Sequence, residues 1–171
     1  MTLIKQIGDP VGWVTSLYTT DTLPDELGPA APIKAIWNDK RAGAAIPSWD
    51  NFQYEDFVGY HGWVAVEDVL SIDPYDSVFR LWGTNLVDVF NLDLTGKKAS
   101  AYKGVIYTEN DFSIWTEALQ TKAIVVAKGT MNWVEQYHHL YDMEFTDITL
   151  PLSDDGVSIN RFVTVTLLDG R

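Results

Sequence analysis

Cysteine is absent from the 171 residues of this chain. That one absence removes disulfide staples, thiolate nucleophiles, cysteine-ligated zinc and iron–sulfur clusters together. Basic residues are scarce: 12 Lys and Arg stand against 24 Asp and Glu, a formal net charge of −12. Such a balance repels polyphosphate backbones and anionic headgroups, so nucleic acid and acidic membrane surfaces are poor partners. Histidine occurs three times, at His61, His138 and His139, with no H-E-x-x-H and no i, i+4 pair for a metal. No apolar run approaches the ~18–20 residues of a membrane span, and the opening MTLIKQIGDP lacks the apolar stretch of a secretory signal. A soluble cytoplasmic protein is the expectation.

What is abundant is apolar and aromatic. Hydrophobic residues make up 46% and aromatics 13%, with seven Trp, enough for one packed core or a lined cavity without staples. One stretch invites a different reading: Asn91 to Lys98, NLDLTGKK, ends like a phosphate-binding loop. That loop needs glycine at its first position and Ser or Thr after the lysine, for backbone wrapping and for magnesium. Asn91 and Lys98 stand there instead. Gly96 then serves turn geometry, and Lys97 and Lys98 are solvated turn residues.

Residues 1–32 mix short apolar patches with turn formers, GDP at Gly8 to Pro10 and LPDELGP at Leu23 to Pro29. They read as an N-terminal arm with a short helix from Val11 to Tyr18. Ile33, Ile36 and Trp37 fall at helical spacing behind Pro32, which predicts an amphipathic helix to Arg41. Trp63–Leu70 and Ser77–Gly83 are β-branched and aromatic around SIDPYD, the pattern of a hairpin. TNLVDVF from Thr84 predicts a short helix. At Thr108 the letters T-E-N-D form a capping box, followed by Phe112, Trp115 and Leu119 on one helical face. Three further strands are predicted within Ala123–Met131, His138–Leu150 and Gly156–Leu168, the last two joined by PLSDDG.

These elements predict an α+β domain over residues 33–171: a five-stranded antiparallel sheet with short helices packed on one face, plus the helical arm. The stretches IWNDKRAGAAIPSWDNF, FRLWGTNLVDVFNLDLTGK, IYTENDFSIWTEAL and FTDITLPLSDDGVSINRF together resemble the PAS domain family, in its alphaproteobacterial branch of stand-alone PAS-like proteins. The resemblance spans about residues 33 to 168. It implies a sensory or signalling module that binds a small apolar ligand, a protein partner or a second copy of itself, and carries no output domain of its own. Dimerisation through the arm would use Leu3, Ile4, Ile7, Trp13, Val14 and Leu17.

Strand alternation nominates a pocket wall. Tyr141, Met143 and Phe145 share a face of the fourth strand, Phe79 and Leu81 of the second, and Val163 and Val165 of the fifth, with Leu86 and Trp115 from the helices. Core packing explains the same residues without a ligand. No cofactor is identified: a covalent flavin adduct needs the missing cysteine, and haem is disfavoured because no histidine lies on an internal helix. His138, Asp142 and Glu144 are the same-face candidates for a metal, but His138 and His139 point apart on a strand and no metal site is expected. Ser153, Asp154 and Asp155 read as turn formers. Arg80 reads as a solvent-face residue beside Trp82 or paired with an acid such as Glu67. The alternative readings are a small α+β cavity enzyme, which needs an ionisable group with a shifted pKa inside apolar walls, and a scaffold with no ligand.

Overall fold

A computed structural model describes residues 2–8 and 12–169. Among them lie seven strands, β1 (Leu3–Gly8), β2 (Val14–Tyr18), β3 (Val64–Ile72), β4 (Tyr75–Trp82), β5 (Ile124–Thr130), β6 (Glu144–Leu152) and β7 (Arg161–Leu168). Three α-helices accompany them: α1 (Ala31–Lys40), α2 (Thr84–Phe90) and α3 (Glu109–Thr121). The strands form one sheet in the order β1-β2-β5-β6-β7-β3-β4, antiparallel throughout. No helix among the described residues is long and apolar enough to cross a membrane.

The sheet corrects the expected architecture in three ways. It has seven strands rather than the five of a PAS-like sheet. The segment expected as a helix from Val11 to Tyr18 is strand β2 over Val14–Tyr18, hydrogen-bonded to β1 and β5. Asp9, Pro10 and Val11 lie outside the described residues. Two causes combine: Val14, Thr15 and Tyr18 favour extended backbone, and the edge of β5 offers a ladder that an eight-residue helix cannot match. Third, both faces of the sheet are covered. Ile33 and Trp37 of α1 pack on Val64, Val66, Ile148, Leu150, Val163 and Val165. Leu86 of α2 and Phe112, Ile114 and Leu119 of α3 pack on the other face, against Leu17, Ala65, Phe79, Val125 and Phe162.

Helix α3 starts where its spacing predicts. Thr108 Oγ1 accepts the Asp111 N–H at 3.2 Å, and the Asp111 carboxylate accepts the Thr108 N–H at 2.7 Å. NLDLTGKK is a turn: Gly96 has φ +76°, and its N–H donates to Phe79 O at 2.8 Å. In PLSDDG, Asp155 accepts the N–H groups of Val157 and Ser158 at 2.8 and 2.7 Å, and these donors with the Ser153 hydroxyl hold its carboxyl at about 2. Asp68 of β3 ties three strands together by accepting from Arg80 of β4 and Arg161 of β7, each at 2.6 Å. Burial works to raise the Asp68 pKa, but the two guanidinium groups hold it below the ordinary range. Arg80 therefore pairs with Asp68 rather than Glu67, whose side chain lies on the opposite face.

Trp37 anchors α1. Its ring is fully buried, and its indole Nε1–H donates to Pro151 O at 2.8 Å. Proline is tolerated in β6 because the pairing with β5 ends at Thr149, so Pro151 has no ladder partner on that side. Replacing Trp37 by Phe keeps an aromatic ring but leaves the Pro151 carbonyl unpaired, an expected loss of about 1–3 kcal/mol. Trp37→Ala should cost about 3–5 kcal/mol. Urea denaturation at unchanged m-value measures both; a Phe variant as stable as the parent would show that the hydrogen bond contributes nothing.

Candidate functional site

The face of the sheet under α2 and α3 carries a polar floor. One cross-strand row runs Thr15, Ala127, Asp147 and Thr166 on β2, β5, β6 and β7. The next runs Val125, Thr149, Thr164 and Ala65 on β5, β6, β7 and β3. The hydroxyls of Thr149 and Thr164 lie 2.8 Å apart. Short side chains in both rows leave room above them, and large ones close the top: Trp82, Leu86, Phe90, Ile106, Tyr107, Ile114 and Trp115. The result is a cavity of about 150 Å³. Trp13 forms one end, edge-on to Trp133 and Phe145 at 5.2 and 5.0 Å between ring centroids. Its ring crosses β5 at Gly129, where an added Cβ would come within 2.4 Å of the indole. A void of about 20 Å³ adjoins the cavity, and Asp147 and Thr166 line both.

Two carboxyls face this space in different states. Glu67 is satisfied: Tyr75 Oη–H donates to Oε1 at 3.0 Å and Ser77 Oγ–H to Oε2 at 2.8 Å. Burial pushes its pKa up to about 7, and the two hydroxyls temper the rise. Asp147 is satisfied only in part. Its Oδ1 is removed from solvent and has no hydrogen-bond partner among the described residues. Burial raises its pKa to about 6, tempered by the Thr166 hydroxyl. Tyr75 and Tyr107 are raised well above the ordinary phenol value, first by burial and then by the negative charge of Glu67; Asp111 and Asp147 add to this at Tyr107.

Glu67 and Asp147 do not form one acid pair. Their partners on β7, Phe162 and Thr166, are four residues apart, roughly 13 Å along a strand. The third acid of the lining, Asp111, has its Oδ2 occupied by the cap of α3. Among the described residues Asp147 is the acid of this lining with a buried oxygen left unpaired.

Of the residues proposed for a pocket wall, Phe79, Leu86 and Trp115 line the cavity. Leu81 does not, and is 42% exposed. Opposite β3 the register jumps, with Glu67 facing Phe79 and Val66 facing Leu81. The extra residue of this bulge is Arg80, and it turns Leu81 to the α1 face. Val163 and Val165 belong to the α1 core; the cavity face of β7 is Phe162, Thr164 and Thr166. Phe145 lines the small void.

Tyr141 and Met143 precede β6, which begins at Glu144 rather than His138. They sit in a run of turns where strand alternation does not apply. The same displacement corrects the histidines: His138 and His139 stack at 4.6 Å instead of pointing apart, and His138 Nε2 lies 2.9 Å from Asp88 Oδ2. No group of three potential metal ligands occurs among the described residues. Glu67, Asp147 and the threonine rows escaped the reading because it followed apolar residues. The available signal was parity: Asp147 and Thr149, and Thr164 and Thr166, put polar groups on one side of two buried strands.

No known family, curated protein or solved structure matches the chain.

Both lining carboxyls titrate higher folded than unfolded, so the folded state holds more protons in between. Stability from this source is complete below the unfolded value and is lost as pH rises through the folded one, from about 4.5 to 7 for Glu67 and from about 3.8 to 6 for Asp147. Glu67→Gln removes the first of these. Between pH 4.5 and 8 its unfolding free energy should fall by on the order of 2–3 kcal/mol less than that of the parent. Urea titrations at the two pH values give the difference, and parallel pH profiles would refute it.

Proposed function

We propose that the protein binds a small organic molecule in the cavity above Asp147, with its carboxylate as the polar anchor. The observation that carries this reading is Asp147, a lining carboxylate with one oxygen left unpaired, beneath aromatic walls. A buried acceptor without a donor costs about 1–3 kcal/mol, more when charged, and a ligand that supplies the donor offsets that cost. A volume of about 150 Å³ is near that of cavities known to admit a single benzene ring. Apolar walls around a few convergent polar groups are the general form of small-molecule sites. The sensory role implied by the PAS resemblance rested on a five-stranded arrangement and is not carried forward; ligand binding rests on the cavity alone.

A second reading, a cavity enzyme, has one observation in its favour. A carboxyl in the cavity lining held at about 6 can exchange protons near neutral pH, as general acid–base work requires. Turnover of a bound compound that is lost in Asp147→Asn while binding persists would select it.

Benzyl alcohol is a suitable probe, with one ring and one donor. Trp13, Trp82 and Trp115 in the walls should report its binding as a saturable change in tryptophan fluorescence. Ala127→Leu, which projects a larger side chain from Asp147's own row, should abolish the change while leaving the far-UV circular dichroism unaltered. An equal response in Ala127→Leu, or none in the parent, would overturn the proposal.

A further inference from the structure

Resting on that reading, we infer that the cavity selects a small organic cation: a protonated amine on a carbon skeleton about one ring in size, its N–H directed to the Asp147 carboxylate. The lining contains Glu67, Asp111 and Asp147, and no Lys, Arg or His among the described residues. Such a field repels an anionic ligand from every side. Glu67 has both oxygens engaged by Tyr75 and Ser77, and Asp111 Oδ2 is held by Thr108, whereas Asp147 keeps a buried oxygen with no donor among the described residues. The titratable groups that share the lining with Asp147 are Glu67 of β3, Asp111 of α3 and Tyr107 before it, and the Thr166 hydroxyl of β7 bonds to it; all are acidic or neutral.

An ionised carboxylate buried among such groups has no counter-charge within the cavity. A neutral donor supplies its hydrogen bond but not that charge, whereas an ammonium supplies both. The walls favour the same ligand. Trp13, Trp82, Tyr107 and Trp115 present aromatic rings to the space, and the negative faces of such rings attract a desolvated cation. The chain's net charge of −12 raises the local concentration of cations and lowers that of anions at the entrance.

Three isosteric probes separate the ligand's charge from its shape: benzylamine, benzyl alcohol and benzoate, titrated calorimetrically into the full chain at pH 7.5 and pH 5. Benzylamine, protonated at both values, should bind about tenfold tighter than benzyl alcohol at pH 7.5, as a charged hydrogen bond exceeds a neutral one. Benzoate should not bind. At pH 5, below the raised value of Asp147 near 6, the amine's advantage should shrink several-fold. Asp147→Asn should abolish it at both pH values, and the pH comparison on the parent serves the same purpose without a variant. If benzyl alcohol binds as tightly as benzylamine, or benzoate binds at all, the cation inference falls while the cavity remains a binding site. If none of the three binds, the inference falls together with the binding reading.

Discussion

Strand β6 has β5 on one edge and β7 on the other, and hydrophobic cores on both faces. Most side chains along it are therefore withdrawn from water, and the chain meets this with Phe145, Ile148, Leu150 and Leu152. Asp147 stands in the middle of that run. A lone carboxyl in such a strand raises the free energy of the folded state unless the space above it is reserved for a partner. The cavity exists because the floor around Asp147 is built from Thr and Ala, which are too short to reach the roof.

The two covers of the sheet do different work. On the α1 side the contacts are close and apolar, and the indole of Trp37 satisfies the one awkward carbonyl, that of Pro151. On the α2 and α3 side the roof is mostly rings, whose planes meet edge-to-face: Phe79 with Trp82, and Tyr107 with Trp115, at 5.1 and 4.9 Å. Rings in that arrangement hold one another rigidly while spanning a gap. Glu67 and Tyr75 brace the far end, where both carboxylate oxygens are taken up and the tyrosine ring packs on Trp115. Polarity is thus tolerated at two points of the buried floor, one closed by internal hydrogen bonds and one left open.

The N-terminal hairpin completes the site rather than standing apart from it. Thr15 extends the Asp147 row by one strand, and Trp13 seals that end. Five strands alone would leave β5 as an edge and the cavity without its Trp13 wall.

Local chemistry was legible from the residues themselves. The capping box at Thr108, the turn at Gly96, the Asp155 turn and the general positions of β3, β4, β5 and β7 depend on neighbours in the chain, and short-range pattern reports them. Phe79, Leu86 and Trp115 could also be picked out, being large and apolar in elements that any packing would bury. Three matters were decided only in three dimensions. Whether Val14–Tyr18 coils or extends depends on β5 having a free edge. Which parity of β7 faces the cavity depends on both faces being covered, since an apolar residue is then as suited to one side as to the other. The state of Asp147 depends on what the folded chain withholds from its Oδ1, a hydrogen-bond donor, and a missing contact leaves no mark in the order of the letters.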